Sequence, residues 1–158
     1  ERISEPVDAV ITTAAGYPLD LTFYQTVKGI TAASHIVKPG GRILVISECP
    51  EGAGAPEFRE MLERFSSPQE YLDYLVDRPV AVDQWQLEKL ALVCRDKHLF
   101  FHVPGLEARY RERLWGPCYG TAEAAVRAAL EGLPSDARIA VIPEGPYVLA
   151  RVEEALLA

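Results

Sequence analysis

The sequence predicts an α/β domain, a three-layer α/β/α arrangement around a mostly parallel sheet of four to five strands. Short apolar runs rich in β-branched residues alternate along the chain with segments of helical periodicity. The short runs are apolar at consecutive positions, which is typical of parallel strands covered on both faces. A length of 158 residues suits one hydrophobic core. We therefore expect residues 1–158 to form a single domain.

The first predicted strand, at 8–12, leads through a short turn into a helix. Gly16 can adopt the positive φ that such a turn needs. Asp20 is placed to accept a hydrogen bond from the free N–H groups of the first helical turn, so the helix should begin near Leu21. Its apolar stripe, predicted to face the core, consists of Phe23, Val27 and Ile30 together with Ser34.

The later elements continue the alternation of strands and helices. A turn is predicted at 38–41, and further strands at 42–47, 99–103 and 138–142. Two helices are predicted at 57–65 and 68–76, the second with Ser67 as its N-cap. A third helix should begin after an N-cap at Asp83, with Gln86 as the reciprocal capping partner. A fourth should run from an N-cap at Thr121 to Gly132. Residues 147–150 form either a short edge strand or the lead into a terminal helix. The loop at 48–56 should lie beside the loop that follows the first strand, at the sheet edge where parallel sheets bind ligands.

Composition excludes several classes of function. The net charge of −7, with no basic stripe, argues against a nucleic-acid partner, because such partners require clustered Lys and Arg. No apolar run is long enough for a membrane span, and no secretory signal is evident. Three widely spaced cysteines make neither a disulfide framework nor a zinc motif, which favours a cytoplasmic protein with reduced thiols. No metal ligands are predicted; His98 and His102 flank a strand and supply too few ligands.

Tyr24 and Lys28 stand four residues apart on the flank of the first helix, with Gln25 one step further round. A phenol and an ammonium group so spaced can reach the same bound anion, the lysine as a point charge and the tyrosine as a directional donor. The alternative is a surface tyrosine ring packed on a lysine stem. Trp85, in the first turn after Asp83, is by default a core or staple residue. Spacing alone leaves these alternatives open.

The same segment carries a family resemblance. The run GYPLDLTFYQTVKG, followed by AAS, KPGG, ISECPEGAG and VDQWQ, resembles the C-terminal half of the lactate racemase family, whose members use a nickel-pincer nucleotide. In that family the YQxxK residues face the cofactor and substrate across a cleft between two domains. The resemblance therefore implies that Tyr24 and Lys28 are catalytic, that Tyr24, Gln25, Lys28 and Trp85 bind substrate or cofactor, and that Lys28 holds the substrate carboxylate.

The resemblance also implies what other parts of the protein supply. In the family, the nickel ligand, the lysine that carries the cofactor and the acid–base histidines come from an N-terminal domain. We therefore expect this chain to be the lid-side domain of a longer protein, with that N-terminal domain and a small 2-hydroxy acid as partners. No cofactor is expected on this fragment, which should be inactive alone. The implied reaction inverts the 2-hydroxy acid by hydride transfer to the cofactor and back.

Two other functions remain open at this point. The chain could be a free-standing nucleotide-binding module, although no GxGxxG follows its first strand. It could also be a structural or partner-binding α/β domain.

Overall fold

The computed structural model describes residues 1–153. Within them lie strands β1 (Arg2–Ile3), β2 (Val7–Thr13), β3 (Val37–Ile46), β4 (His98–His102), β5 (Ile139–Ile142) and β6 (Arg151–Val152). The helices are α1 (Phe23–Ser34), α2 (Pro56–Arg64), α3 (Pro68–Leu75), α4 (Gln84–Cys94), α5 (Ala108–Arg111) and α6 (Ala122–Leu130), and a 3₁₀ turn spans Gly145–Tyr147.

The main sheet has the strand order β4–β3–β2–β5, and all its neighbours are parallel. Side chains alternate between its two faces. One cross-strand row, Val10, Ile43 and Leu99, is buried on the face that α1 and α4 cover. The next row, Ile11, Leu44 and Phe100, lies on the opposite face, which α6 covers. The predicted three-layer α/β/α class with a parallel sheet is therefore confirmed.

The first helix begins two residues later than the sequence predicted. Thr22, not Asp20, is the N-cap, and its side chain accepts a hydrogen bond from the N–H of Gln25. Asp20 is buried in the preceding turn, where its carbonyl oxygen accepts from the N–H of Cys49. Gly16 has the expected positive φ, 70°. The predicted apolar stripe also holds, since Phe23, Val27 and Ile30 are fully buried.

Two predictions for local structure were wrong. The segment 38–41 is not a separate turn but part of β3, where the pairing with β2 shifts register between Val7 and Ala9. Asp83 adopts a left-handed conformation with φ 60° and makes no capping hydrogen bond. In contrast, the Ser67 and Thr121 side chains cap α3 and α6 as predicted.

The structure contains a second, two-stranded parallel sheet that was not predicted from the sequence. It joins β1 to β6, pairing Arg2 with Arg151 and Ile3 with Val152. Residues 147–150, predicted as either a short edge strand or the lead into a terminal helix, contain the end of the 3₁₀ turn and the segment that precedes β6. A terminal helix after residue 153 would lie outside the described residues. Strands of two residues carry too little periodicity to be recognised in a sequence.

Candidate functional site

The first turn of α1 is held by the loop that follows β3, as the sequence predicted for two adjacent loops at one sheet edge. The N–H groups of Phe23 and Tyr24 donate to the carbonyl oxygens of Gly52 and Ala53, over 2.9 and 3.1 Å. Without this loop they would be free donors at a helix start. Gly54, with φ 123°, approaches so closely that a Cβ there would lie 3.0 Å from the Cβ of Tyr24.

The Tyr24 ring is packed between two other aromatic rings. It meets Phe58 of α2 edge-to-face, with centroids 5.3 Å apart, and Trp85 of α4 in the same manner at 6.1 Å. Edge-to-face contact is a preferred aromatic geometry, so these neighbours fix the orientation of the phenol. The fold therefore brings together two of the four predicted site residues, Tyr24 and Trp85, from helices 61 positions apart in sequence.

The Asp83 carboxylate influences the Tyr24 phenol electrostatically, an effect that the capping role predicted for Asp83 did not anticipate. The pKa of Tyr24 is raised, first by burial of the phenol and then by the charge and hydrogen-bonding of the Asp83 carboxylate. A hydrogen bond from Trp85 acts in the opposite direction. A tyrosine phenol is protonated at neutral pH in any case, and burial and Asp83 favour this hydrogen-bond-donating form further.

Lys28 and Gln25 complete the predicted set on α1. Lys28 lies one helical turn after Tyr24, is exposed, and makes no ion pair within residues 1–153. Gln25 is half-buried, and its Oε1 is buried without a hydrogen-bond partner in the described part of the chain. An ammonium group and an amide thus remain available beside the phenol.

Trp85 is not the core residue that its default interpretation suggested. It is 44% exposed, and the Nζ of Lys89 lies 4.6 Å from the centroid of its ring. Lys89 was not selected from the sequence, although a signal was present: an aromatic residue, a glutamine and a lysine recur at the same spacing at the starts of α1 and α4.

The cysteines and histidines form no metal site. Cys49 is fully buried beside Thr26 and Ser47, and burial raises the pKa of its thiol. His102 contacts the carbonyl oxygen of Tyr119 through Nδ1, while His98 is exposed. Across residues 1–153 no three His, Cys, Asp or Glu side chains are grouped so as to hold a metal ion. The side chains at the starts of α1 and α4 instead provide hydrogen-bond donors: the Tyr24 phenol, the Trp85 indole, the Gln25 amide and the ammonium groups of Lys28 and Lys89.

Comparison with known proteins identifies the family. Residues 3–150 match the lactate racemase C-terminal domain. The chain belongs to this family. It is 31% identical over 152 residues to a lactate racemase of Thermoanaerobacterium thermosaccharolyticum and 30% identical over 147 residues to one of Lactiplantibacillus plantarum. The resemblance read from the YQTVKG and VDQWQ motifs is thereby confirmed.

A solved structure agrees with this membership. The lactate racemase apoprotein from Thermoanaerobacterium thermosaccharolyticum superposes with a TM-score of 0.85 at 30% identity, over 94% of this chain and 36% of that one. The chain spans about a third of the length of the curated lactate racemases it matches, 35% in both cases. None of the helices described here is long and apolar enough to cross a membrane.

Proposed function

We propose that this domain is the lid-side half of a 2-hydroxy acid racemase or epimerase, whose active site is completed by an N-terminal domain of the same protein. The observation that carries the proposal is the contact between the Tyr24 and Trp85 rings, with the exposed ammonium group of Lys28, which makes no ion pair in residues 1–153, one helical turn away. Membership of the lactate racemase C-terminal domain family supports it. Cytoplasmic location stays a prediction.

The donor groups of this surface suit a substrate carboxylate and hydroxyl better than a metal ion. We assign Lys28 to the carboxylate as a point charge, and Tyr24 and Gln25 to hydrogen bonds that fix the orientation of the 2-hydroxy acid. Trp85 would cover the substrate with an apolar surface. Closure of this domain over the site would exclude water, which strengthens each of these interactions.

The cofactor implied by the family would be bound by the N-terminal domain, while this domain contacts the substrate. Since no metal-binding group of side chains occurs in residues 1–153, we assign the nickel ligands of a nickel-pincer nucleotide to the N-terminal domain. That cofactor would supply the hydride acceptor. Because the residues assigned here hold and orient the substrate and the hydride acceptor is assigned to the N-terminal domain, we propose that the 158-residue fragment is inactive alone.

One structural feature disfavours the nucleotide-binding alternative. In open parallel sheets the ligand crevice opens where the strand order reverses, which here is between β2 and β5. The 3₁₀ turn fills that position: a Cβ on Gly145 would lie 2.4 Å from Thr12 Oγ1 and 3.0 Å from the Cα of Gly29. The crevice is thus closed by the chain itself, whereas Lys28 of α1 and Trp85 of α4 are exposed to solvent.

Replacing Lys28 by Met in the full-length protein tests the proposal. We expect KM for the 2-hydroxy acid to rise about tenfold or more, because a charge-assisted contact is lost, while nickel content measured by metal analysis stays at the wild-type level. Lys38→Met is the control, since Lys38 pairs with Asp8 at the opposite edge of the sheet. Unchanged kinetics in Lys28→Met and Tyr24→Phe would instead favour a structural or partner-binding role.

A further inference from the structure

The N-terminal halves of α1 and α4 carry an aromatic residue, a glutamine and a lysine at the same three positions. The second, third and sixth residues of α1 are Tyr24, Gln25 and Lys28, and those of α4 are Trp85, Gln86 and Lys89. Each helix therefore presents an aromatic ring with a lysine four residues later. In an α-helix such a pair lies on one face.

The two helices are parallel neighbours, so the two sets lie side by side. Each helix connects parallel strands of the same sheet on the same face, and α1 and α4 pack against each other. Their starts meet where the Nε2 of Gln86 donates to the carbonyl oxygen of Tyr24 over 2.9 Å. The rings of Tyr24 and Trp85 touch at this level. Lys28 and Lys89 each follow these rings by one turn, on the same side of their own helix.

The local environments match as well. Within the described residues, two buried side-chain oxygen atoms have no hydrogen-bond partner, and they are the Oε1 atoms of Gln25 and Gln86. Buried acceptors of this kind are uncommon and call for an explanation at each position. Their occurrence at the same helical position in both helices sets this pair of turns apart from the rest of the fold.

The lysines of these two turns also differ from the other lysines. The chain has four, and Lys38 and Lys97 pair with Asp8 and Asp96. Lys28 and Lys89 are both exposed and form no ion pair in residues 1–153. In a protein of net charge −7, two ammonium groups that lie on helices packed against each other and form no ion pair in residues 1–153 favour an anion at this part of the surface.

None of the acidic groups near these helix starts forms an ion pair with Lys28 or Lys89 in residues 1–153, and Asp96, which lines a groove with Lys89, pairs with Lys97. Asp83 acts on the Tyr24 phenol, and Glu88 acts on the Tyr71 phenol. Lys89 lies against the Trp85 ring, whose face favours a cation at that position. The Trp85 ring thus holds one ammonium group near the helix starts without neutralising its charge.

We propose that Lys28 and Lys89 form a two-cation site that binds a small ligand with two anionic groups, a 2-hydroxy acid bearing a second carboxylate or a phosphate. Lys28 holds the carboxylate next to the reacting carbon, and Lys89 holds the second anionic group. The hydroxy-acid part of this inference rests on the proposed function, whereas the paired cations stand on the geometry of α1 and α4.

Calorimetric titration of the full-length protein with acetate, malonate and phosphonoacetate tests the site. Malonate and phosphonoacetate should bind more tightly than acetate, and the tighter of the two identifies the second anionic group. Lys28→Met should weaken all three ligands. Lys89→Met should weaken only the two-charge ligands, by about five- to tenfold, and Lys89→Arg should restore their binding.

Arg127→Met is the charge-matched control, because Arg127 is exposed on α6, on the opposite face of the sheet, and pairs with Glu123. Equal affinities of wild type for the three ligands, or a Lys89→Met variant that weakens acetate as much as malonate, would overturn the two-cation site. If malonate binding depends on both lysines but racemisation is unimpaired in Lys28→Met, the site stands and the proposed function fails.

Discussion

The side-chain amide of Gln86 donates a hydrogen bond to the main-chain carbonyl oxygen of Tyr24 and so joins the first turn of α4 to that of α1. Gln86 is fully buried, and its Oε1 has no hydrogen-bond partner in residues 1–153. The contact spans 62 residues of sequence. It explains how a tyrosine and a tryptophan from separate motifs come to lie against each other.

This arrangement makes the effect of replacing Gln86 depend on the volume of the new side chain. Gln86→Leu removes a hydrogen bond worth about 1 kcal/mol but also removes a buried oxygen that costs about 1–3 kcal/mol to leave unpaired. We expect these effects to offset, leaving the free energy of unfolding within about 1 kcal/mol of wild type. Gln86→Ala should lose about 2 kcal/mol or more, because it leaves a cavity.

Urea denaturation of both variants measures the difference. A loss above about 2 kcal/mol in Gln86→Leu would mean that the hydrogen bond outweighs the unpaired oxygen, contrary to this account.

The Tyr24 phenol should titrate above its ordinary value, and Asp83 should be one reason. Because the pKa of the Tyr24 phenol is higher in the folded than in the unfolded protein, the folded protein binds this proton more tightly. The stabilisation that results is fully present below pH 10, the ordinary pKa of the phenol, and is lost as the pH rises through the folded-state pKa. Asp83→Asn removes the negative charge and should lower the pKa of Tyr24. NMR of ¹³C-labelled tyrosine, assigned with Tyr24→Phe, measures it.

A variant at another charged residue near the Tyr24 phenol is the control for the pKa measurement. Lys28 lies one turn further along α1, and Lys89 faces the Trp85 ring. Lys89→Met should move the pKa of Tyr24 far less than Asp83→Asn does, because its ammonium group is not among the causes of the raised value. A Tyr24 pKa that is the same in wild type and Asp83→Asn would refute this electrostatic effect.

Gly54→Ala should destabilise the protein through backbone strain and crowding of Tyr24. At φ 123° an alanine is strained, and its Cβ would lie 3.0 Å from the Cβ of Tyr24. We expect a loss of about 2–3 kcal/mol in the free energy of unfolding. Gly40→Ala is the matched control: Gly40 has φ 73° with no atom within 4 Å of the added Cβ, so only a backbone cost of about 1 kcal/mol applies. Equal losses in thermal or urea unfolding would show that Tyr24 does not crowd position 54.

The sequence by itself determined the elements whose signals are local. Apolar runs located β2, β4 and β5, and the caps at Ser67 and Thr121 located α3 and α6, because apolar periodicity and capping depend on residues a few positions apart. The motifs around Tyr24 and Trp85 also sufficed to indicate the family, as the match over residues 3–150 confirms. Asp20 was the wrong cap because the turn before α1 is stabilised by a distant loop, through Cys49.

Only the tertiary structure decided which side chains meet at the site. Asp83 and Gln86 have the spacing of a capping box, yet Asp83 acts on a phenol and Gln86 binds a carbonyl group, both on another helix. Likewise, the pairing of β1 with β6 and the contact of the Tyr24 and Trp85 rings arise from packing between segments far apart in the chain. Contacts of this kind are set by how the helices cover the sheet, and no pattern within one segment encodes them.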